Sequence, residues 1–381
     1  MSWREVDVRD LEAGDVLAKS VQSHNGIVML EKNTVLTESY IRRLKNLGVR
    51  TVALKEKEFA LPAQSAFGFR DIPHSPPDME RMRNNDEARK QASLAAAKLA
   101  ESEHAIGRVA DSGLEERFRK EYRNVLLEII MQRPIAEELG VLLQTDKFLF
   151  EHSLQVSLLS CLIGIAKNYD KSRLFELTTG ALLFDIGMTR LPPGIVKATS
   201  ELSDSERELM RQHTIKGYEV LSSIPDVSPA AARCALLHHE RYRGTGYPFG
   251  LKNKDIPEYA QIVGVADIYD ALISPRHYRK PYTLGEAMEY LFASGNYDFD
   301  LELVRLFVRN VSMFPVSVTV KLSSGQVGKV VDADNGLHYR PVVRILREAD
   351  GTRVTTPYEI DLRDRNDLVI VQASMKDDAQ F

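Results

Sequence analysis

From about residue 114 to residue 310, apolar residues recur at three- and four-residue spacing, the period of helices buried on one face. The stretch "SDSERELMRQHTIKGYEVL" is representative. Ser203 opens it, Glu206 stands three residues on as in a capping box, and apolar residues keep helical spacing from Leu209. Typical helix and connection lengths predict a bundle of roughly seven to ten helices here. On both sides the period shortens. "GDVLAKSVQSHNGIVML" alternates like strands around the turn signal Asn25-Gly26. Thr37 can cap a short helix bearing Ile41, Leu44 and Leu47, with Gly48 as its stop, and "VRTVALK" then reads as a strand. After about residue 312, "VSVTVKL" alternates strictly, "SSGQVGKV" supplies turns and Asp350-Gly351 marks a hairpin. The chain has no internal repeat at solenoid periods.

The pattern predicts a mainly α protein, a helical bundle flanked by small N-terminal and C-terminal β-containing modules. The divisions fall at residues 1–57 (small α/β module), 58–112 (linker and charged helix), 113–310 (helical domain) and 311–381 (small β unit). Within the linker, "ALPAQSAFGFRDIPHSPPD" is rich in Pro, Ser and Ala, the composition of an exposed connector. Residues 79 to about 105 are charged and alanine-rich, predicting a helix that is solvated or paired with a partner, with a simple spacer as the alternative.

Composition narrows this little. The 381 residues are 44% hydrophobic and 27% charged, as in ordinary globular proteins. The net charge of −4 argues against a general nucleic-acid binder. Cys161 and Cys234 fall in apolar helical patterns and read as core thiols in a reducing compartment. The start "MSWREVDVRD" lacks the features of a secretion signal, and the run "SLLSCLIGIA" is too short to span a bilayer. A cytoplasmic location is the expectation.

The chemistry lies in ionisable residues set inside apolar sequence. His152 stands in "FLFEHSLQVSLLS", Asp185 in "LTTGALLFDIGM", His213 in "MRQHTIKG", His238 and His239 in "ARCALLHHE", and Asp267 in "IVGVADIYDAL". A buried carboxylate needs a positive partner. Taken singly, each has a structural role open to it: His152 as a hydrogen-bonded core residue, Asp185 as a helix cap or partner of Arg190, "GTGYP" as a turn. Four histidines and two aspartates in one helical region suit a cluster of divalent first-row metals, Fe, Mn or Zn, one or two ions per chain.

"HHERYRGTGYP", followed downstream by "ADIYDALISPRHYRKPY", resembles the HD-GYP branch of the HD phosphohydrolase superfamily. "EHSLQVSLL", "ALLFDIGMTRLP" and "MRQHTIKGYEVL" match its earlier motifs in order, so that the likeness covers about residues 145 to 290. The resemblance implies a helical metalloenzyme that hydrolyses cyclic-di-GMP to pGpG or GMP, some related members acting on mixed cyclic GMP-AMP. It implies metal ligands at His152, Asp185, His213, His238, His239 and Asp267, with Asp185 bridging two ions and serving catalysis. Gly246, Tyr247 and Pro248 match the signature loop, and Arg276, Arg279 and Lys280 resemble phosphate-contacting positions. A diguanylate cyclase domain is the implied candidate protein partner.

Three departures fall near one side of this inferred site. Phe184-Asp185 stands where the family has His-Asp, Met188 replaces a lysine, and Phe148 replaces a glutamate that some members carry. The sequence therefore leaves two functional readings open. One is a cyclic-di-GMP phosphodiesterase with an altered metal site and slow turnover. The other is a catalytically degenerate module that acts by binding nucleotide or partner.

Overall fold

A computed structural model of the chain describes residues 3–11, 15–22, 28–55, 79–101, 109, 112–198, 200–274, 281–312, 314, 316, 318–332 and 340–374. It divides into two compact units, residues 1–73 and 74–381. In the first, β1 (Trp3–Asp7) pairs antiparallel with β4 (Thr51–Lys55), and the short β2 (Val21–Gln22) with β3 (Val28–Leu30). The Thr37 hydroxyl accepts from the Tyr40 amide and caps α1 (Glu38–Asn46). Ile41 and Leu44 of that helix enter a small core with Leu17, Leu36, Val52 and Leu54, whereas Leu47 is exposed. The Asn25-Gly26 turn signal lies outside the described residues.

The second unit begins with α2 (Met79–Arg83) and α3 (Asp86–Glu101), in the segment the sequence assigns to linker and charged helix. Here α3 is neither a spacer nor solvated all round. Ala88, Ala92 and Ala96, at four-residue spacing, form a buried stripe against α5 (Arg133–Thr145). Alanine carries little apolar area, so composition understates such a face; short side chains let two helix backbones approach closely instead.

Around this pair stand α4 (Ser112–Met131), α6 (Lys147–Ala166), α7 (Lys171–Leu182), α8 (Pro193–Val196), α9 (Asp204–Arg211), α10 (His213–Ser222), α11 (Pro229–Leu237), α12 (Glu258–Ile273), α13 (Leu284–Ala293) and α14 (Leu301–Asn310). Ser203 and Glu206 form the reciprocal capping box at the start of α9. At the centre, α6 is apolar on all sides and touches α4, α5, α7, α12 and α14, as expected of a core helix. By length and composition α6 could cross a membrane, but 78% of its apolar window is buried inside the protein.

After α14 the chain forms β5 (Thr319–Leu322), β6 (Val327–Asp332), β7 (Val342–Arg347), β8 (Arg353–Asp361) and β9 (Ile370–Ser374), an antiparallel sheet in the order β8-β7-β6-β5-β9. Gly351, at φ +86°, makes the predicted turn between β7 and β8. Alternate residues Val320, Leu322, Val343 and Ile345 point into a second core, and Leu284 at the head of α13 touches both this core and that of the helices.

Candidate metal centre

Each candidate ligand stands at an element end or on a core helix. Asp185 follows α7 and precedes a 3-10 turn, Ile186–Arg190. That turn lies hard against α10: a Cβ on Gly187 would fall 1.9 Å from the His213 carbonyl oxygen. Only glycine permits this approach, which brings the Asp185 segment onto the helix that His213 opens. Arg190, an alternative partner for Asp185 by sequence, turns away. Its Nη2 meets Glu138 Oε2 at 2.6 Å, and Glu138 also receives Arg83.

His213 Nδ1 lies 2.7 Å from the Met210 carbonyl oxygen, and His238 Nδ1 lies 3.0 Å from that of Cys234. A carbonyl can only accept, so each Nδ1 carries the hydrogen, which in the Nδ1–H tautomer leaves a lone pair at Nε2. These two Nε2 atoms face each other at 3.4 Å. Asp185 Oδ1 lies 3.4 Å from His213 Nε2 and 3.7 Å from His238 Nε2. His239 completes the group: one ligand atom from each of His213, His238 and His239 fits within 4.8 Å of the others. Burial, partly offset by Asp185, pushes His238 down to about 4. Burial and the neighbouring His238 and His213 push His239 well below its usual range. Neutral imidazole is the ligating form, so this donor set fits a divalent ion.

His152 and Asp267 form a different arrangement. His152 Nε2 lies 3.0 Å from Asp267 Oδ1, and Nδ1 lies 2.7 Å from Asp270 Oδ2. Burial disfavours the imidazolium, yet the two carboxylates outweigh it and lift His152 to about 10. Asp267, against the effect of its own burial, is held below the usual carboxylate range by His152. Phe184 touches both groups. Its ring meets His152 edge-on at 5.6 Å and His238 at 4.9 Å. Phe148 stacks on the His152 ring at 6.2 Å, and Met188 packs against the apolar core.

The signature loop closes over the histidines. Tyr247 stacks on His239 with ring centroids 4.6 Å apart, and its amide donates to the His239 carbonyl. A Cβ on Gly246 would fall 2.4 Å from that same carbonyl oxygen and from Arg241 N, so the loop folds this tightly only with glycine. Pro248 follows through a cis peptide bond. Arg276, Arg279 and Lys280 lie outside the described residues.

Two participants escaped the sequence reading. Asp270 holds His152, and its position three residues after Asp267 in "ADIYDAL" was the available signal, since such residues share a helix face. Glu240 is buried and accepts from the amides of Phe249 and Leu251, anchoring the loop from beneath. It is the third residue of "HHE".

Comparison with known proteins follows the same division. Residues 140–303 match the HD domain model, and residues 319–380 match the KOW domain associated with HD domain. The chain is 32% identical over 216 residues to the cyclic di-GMP phosphodiesterase PA4108 of Pseudomonas aeruginosa, covering 57% of this chain and 52% of that protein. It is 34% identical over 196 residues to a cyclic di-GMP phosphodiesterase of Thermotoga maritima, covering 51% of this chain and 52% of that protein. The chain thus spans about half the length of these relatives. The solved structure of Bd1817, an HDGYP protein from Bdellovibrio bacteriovorus, aligns at a TM-score of 0.38 and 18% identity, over 80% of this chain and 98% of that one. Residues 140–303, the helical region, thus match the HD domain, in line with what the HD-GYP resemblance implied for that region.

Proposed function

We propose that this protein is a metal-dependent cyclic-di-GMP phosphodiesterase, hydrolysing the dinucleotide to pGpG or GMP, with one strong metal position and one weak one. The carrying observation is the 3.4 Å approach of His213 Nε2 and His238 Nε2 beside Asp185 Oδ1. Two lone pairs and a carboxylate oxygen converge there, a conflict that a cation relieves. With His239, the donors are three imidazoles and one carboxylate, a set suited to Fe, Mn or Zn. A bound divalent ion would supply Lewis acidity at a phosphoryl oxygen and a more acidic bound water.

The protein's own groups do the remainder. Carbonyl bonds at Nδ1 of His213 and His238 fix both rings before any ion arrives, the usual way a ligating histidine is oriented. Tyr247 covers the His239 ring from the loop side. His152 and Asp267 are the donors left for a second ion, but they already satisfy each other, with the Phe184 ring adjoining. We therefore assign the second position weak occupancy and the enzyme slow turnover. Names of relatives at 32% and 34% identity support the substrate class.

Phe184 also favours a second reading, a silent module that binds cyclic-di-GMP or a signalling partner such as a diguanylate cyclase domain. Metal content of protein purified without chelators, together with cyclic-di-GMP turnover in Mn²⁺ or Fe²⁺, separates the two. Bound metal with product formed, both lost in Asp185→Ala, supports the phosphodiesterase; metal without product supports the binding module. Protein with neither metal nor product overturns the metal centre.

A further inference from the structure

A phosphodiester at this centre needs positive charge from the protein, because Asp185 and Asp267 both repel it. Two arginines outside the ligand set border the histidines. Arg211 stands two residues before His213, with its Cζ 5.2 Å from the centroid of the Tyr247 ring. Arg241 stands two residues after His239. Its Nη1 donates to the carbonyls of His238 and Glu240, both at 3.0 Å, and its Cζ lies 5.1 Å from the Phe299 ring centroid. The same His238 carbonyl oxygen would lie 2.7 Å from a Cβ on Gly264. Gly264 is three residues before Asp267 on α12 and shares its helix face. The Arg241 guanidinium is thus held beside the face of α12 that carries Asp267.

Neither arginine makes a buried ion pair among the described residues, although Arg241 is close enough to Asp267 and Glu240 to favour their charged forms. Arg241 is half-buried and makes no ion pair among the described residues. Its bonds to two carbonyls engage Nη1, leaving the N–H groups of Nε and Nη2 without a protein acceptor among the described residues. Those N–H groups are free to meet an anion that enters beside the histidines. Among the described residues Arg211 has one ion pair, with Glu208 at 3.4 Å, and both side chains are more than half exposed. Such a pair is weak and easily exchanged for another anion.

We propose that Arg211 and Arg241 are phosphate-binding residues of this site, gripping the phosphodiester of a cyclic dinucleotide beside the Tyr247–His239 stack. The proposal rests on the cyclic-dinucleotide reading above and names the groups that hold the ligand. A guanidinium offers two parallel N–H donors that match two oxygens of one phosphate, which a lysine cannot do. Arg241, already fixed by its carbonyls, loses little freedom on binding; Arg211 must leave Glu208 and acts as the adjustable member.

The test is cyclic-di-GMP binding to the full chain loaded with Mn²⁺, for wild type, Arg211→Gln, Arg241→Gln and Arg241→Lys, with metal content and melting temperature measured alongside. We expect Arg241→Gln to weaken binding about tenfold or more and Arg211→Gln severalfold, at unchanged metal content. Arg241→Lys should recover only part of the loss, and the dependence of binding on salt should flatten in each Gln variant. Wild-type binding that neither Gln variant weakens overturns this proposal and leaves the functional reading standing. Wild-type protein that binds no dinucleotide overturns both. If Arg241→Gln fails to fold, the exposed Arg211→Gln still decides, since undiminished binding there rejects the paired clamp.

Discussion

The Phe184 and His238 rings meet nearly at right angles with centroids 4.9 Å apart, while the same phenyl ring contacts His152 at 5.6 Å. One side chain therefore touches a histidine of each group, His238 beside Asp185 and His152 beside Asp267. An imidazole at this position would point a nitrogen at whatever lies between them; a phenyl ring points only C–H. Phe184 is fully buried, so it also contributes to packing, and function and stability oppose each other at one residue.

Replacing it exposes that opposition. Phe184→His should raise metal content towards two ions per chain and increase cyclic-di-GMP turnover at least tenfold, adding Met188→Lys further. The same change buries a polar ring in place of an apolar one, at a cost of roughly 1–3 kcal/mol. Metal analysis, initial rates and thermal melts on one preparation check the three effects together. Unchanged metal content in a folded variant would mean that Phe184 is not what limits the second position.

Metal binding itself should appear as stability. A ligand that binds only the folded state adds about 2.7 kcal/mol at a free concentration one hundred times its dissociation constant. Chelator treatment should lower the melting temperature, and Mn²⁺ or Zn²⁺ should restore it. His213→Ala and His238→Ala should abolish that response, whereas His152→Ala should retain it, because His152 lies in the other group. A response lost equally in all three variants would argue for a single shared centre.

A pH-dependent contribution is expected far from the histidines, where Glu258 meets Lys167 at 2.8 Å, Arg173 at 3.1 Å and the Tyr169 hydroxyl. Burial raises the Glu258 pKa, but Lys167, Tyr169 and Arg173 outweigh it and hold the group below 4.5. A carboxylate depressed on folding stabilises fully above its unfolded pKa and loses that contribution as pH falls through its folded one. The difference in melting temperature between wild type and Glu258→Gln should be constant near neutrality and shrink below about pH 4.5. A difference that grows in acid would contradict the sign.

How much of this the sequence carried depends on the range of the interaction. Caps and periods are local, so Thr37, the Ser203–Glu206 box and the Asp350-Gly351 turn were readable. The candidate ligands were readable because polar groups inside apolar helices stand out. Their grouping was not, since the contacts of Phe184 with His152 and His238 join residues from three different elements. The pairing of Arg190 with Glu138 across 52 residues was equally hidden, and proximity in sequence favoured Asp185 instead. The alanine stripe of α3 misled for another reason: small side chains bury a helix by closeness, and composition measures area.

The contact of Gly187 with His213 gives the sharpest separation of site geometry from ligand chemistry. Gly187 is no ligand, yet a Cβ there would lie 1.9 Å from His213 O and 2.5 Å from Gly217 N, both backbone atoms that cannot swing aside. Gly187→Ala must push the Asp185 turn away from α10, at roughly 1–3 kcal/mol of overpacking strain. Because Asp185 Oδ1 and His213 Nε2 are then carried apart from their 3.4 Å approach, metal affinity should fall more than tenfold while every ligand remains present. Gly194→Ala is the control, since a Cβ there meets nothing within 4 Å. Isothermal titration of both apo variants with Zn²⁺, at a temperature where each is folded, measures the effect. Equal affinities would show that the turn can shift without moving Asp185, and the spacing of the turn against α10 would then have no part in building the centre.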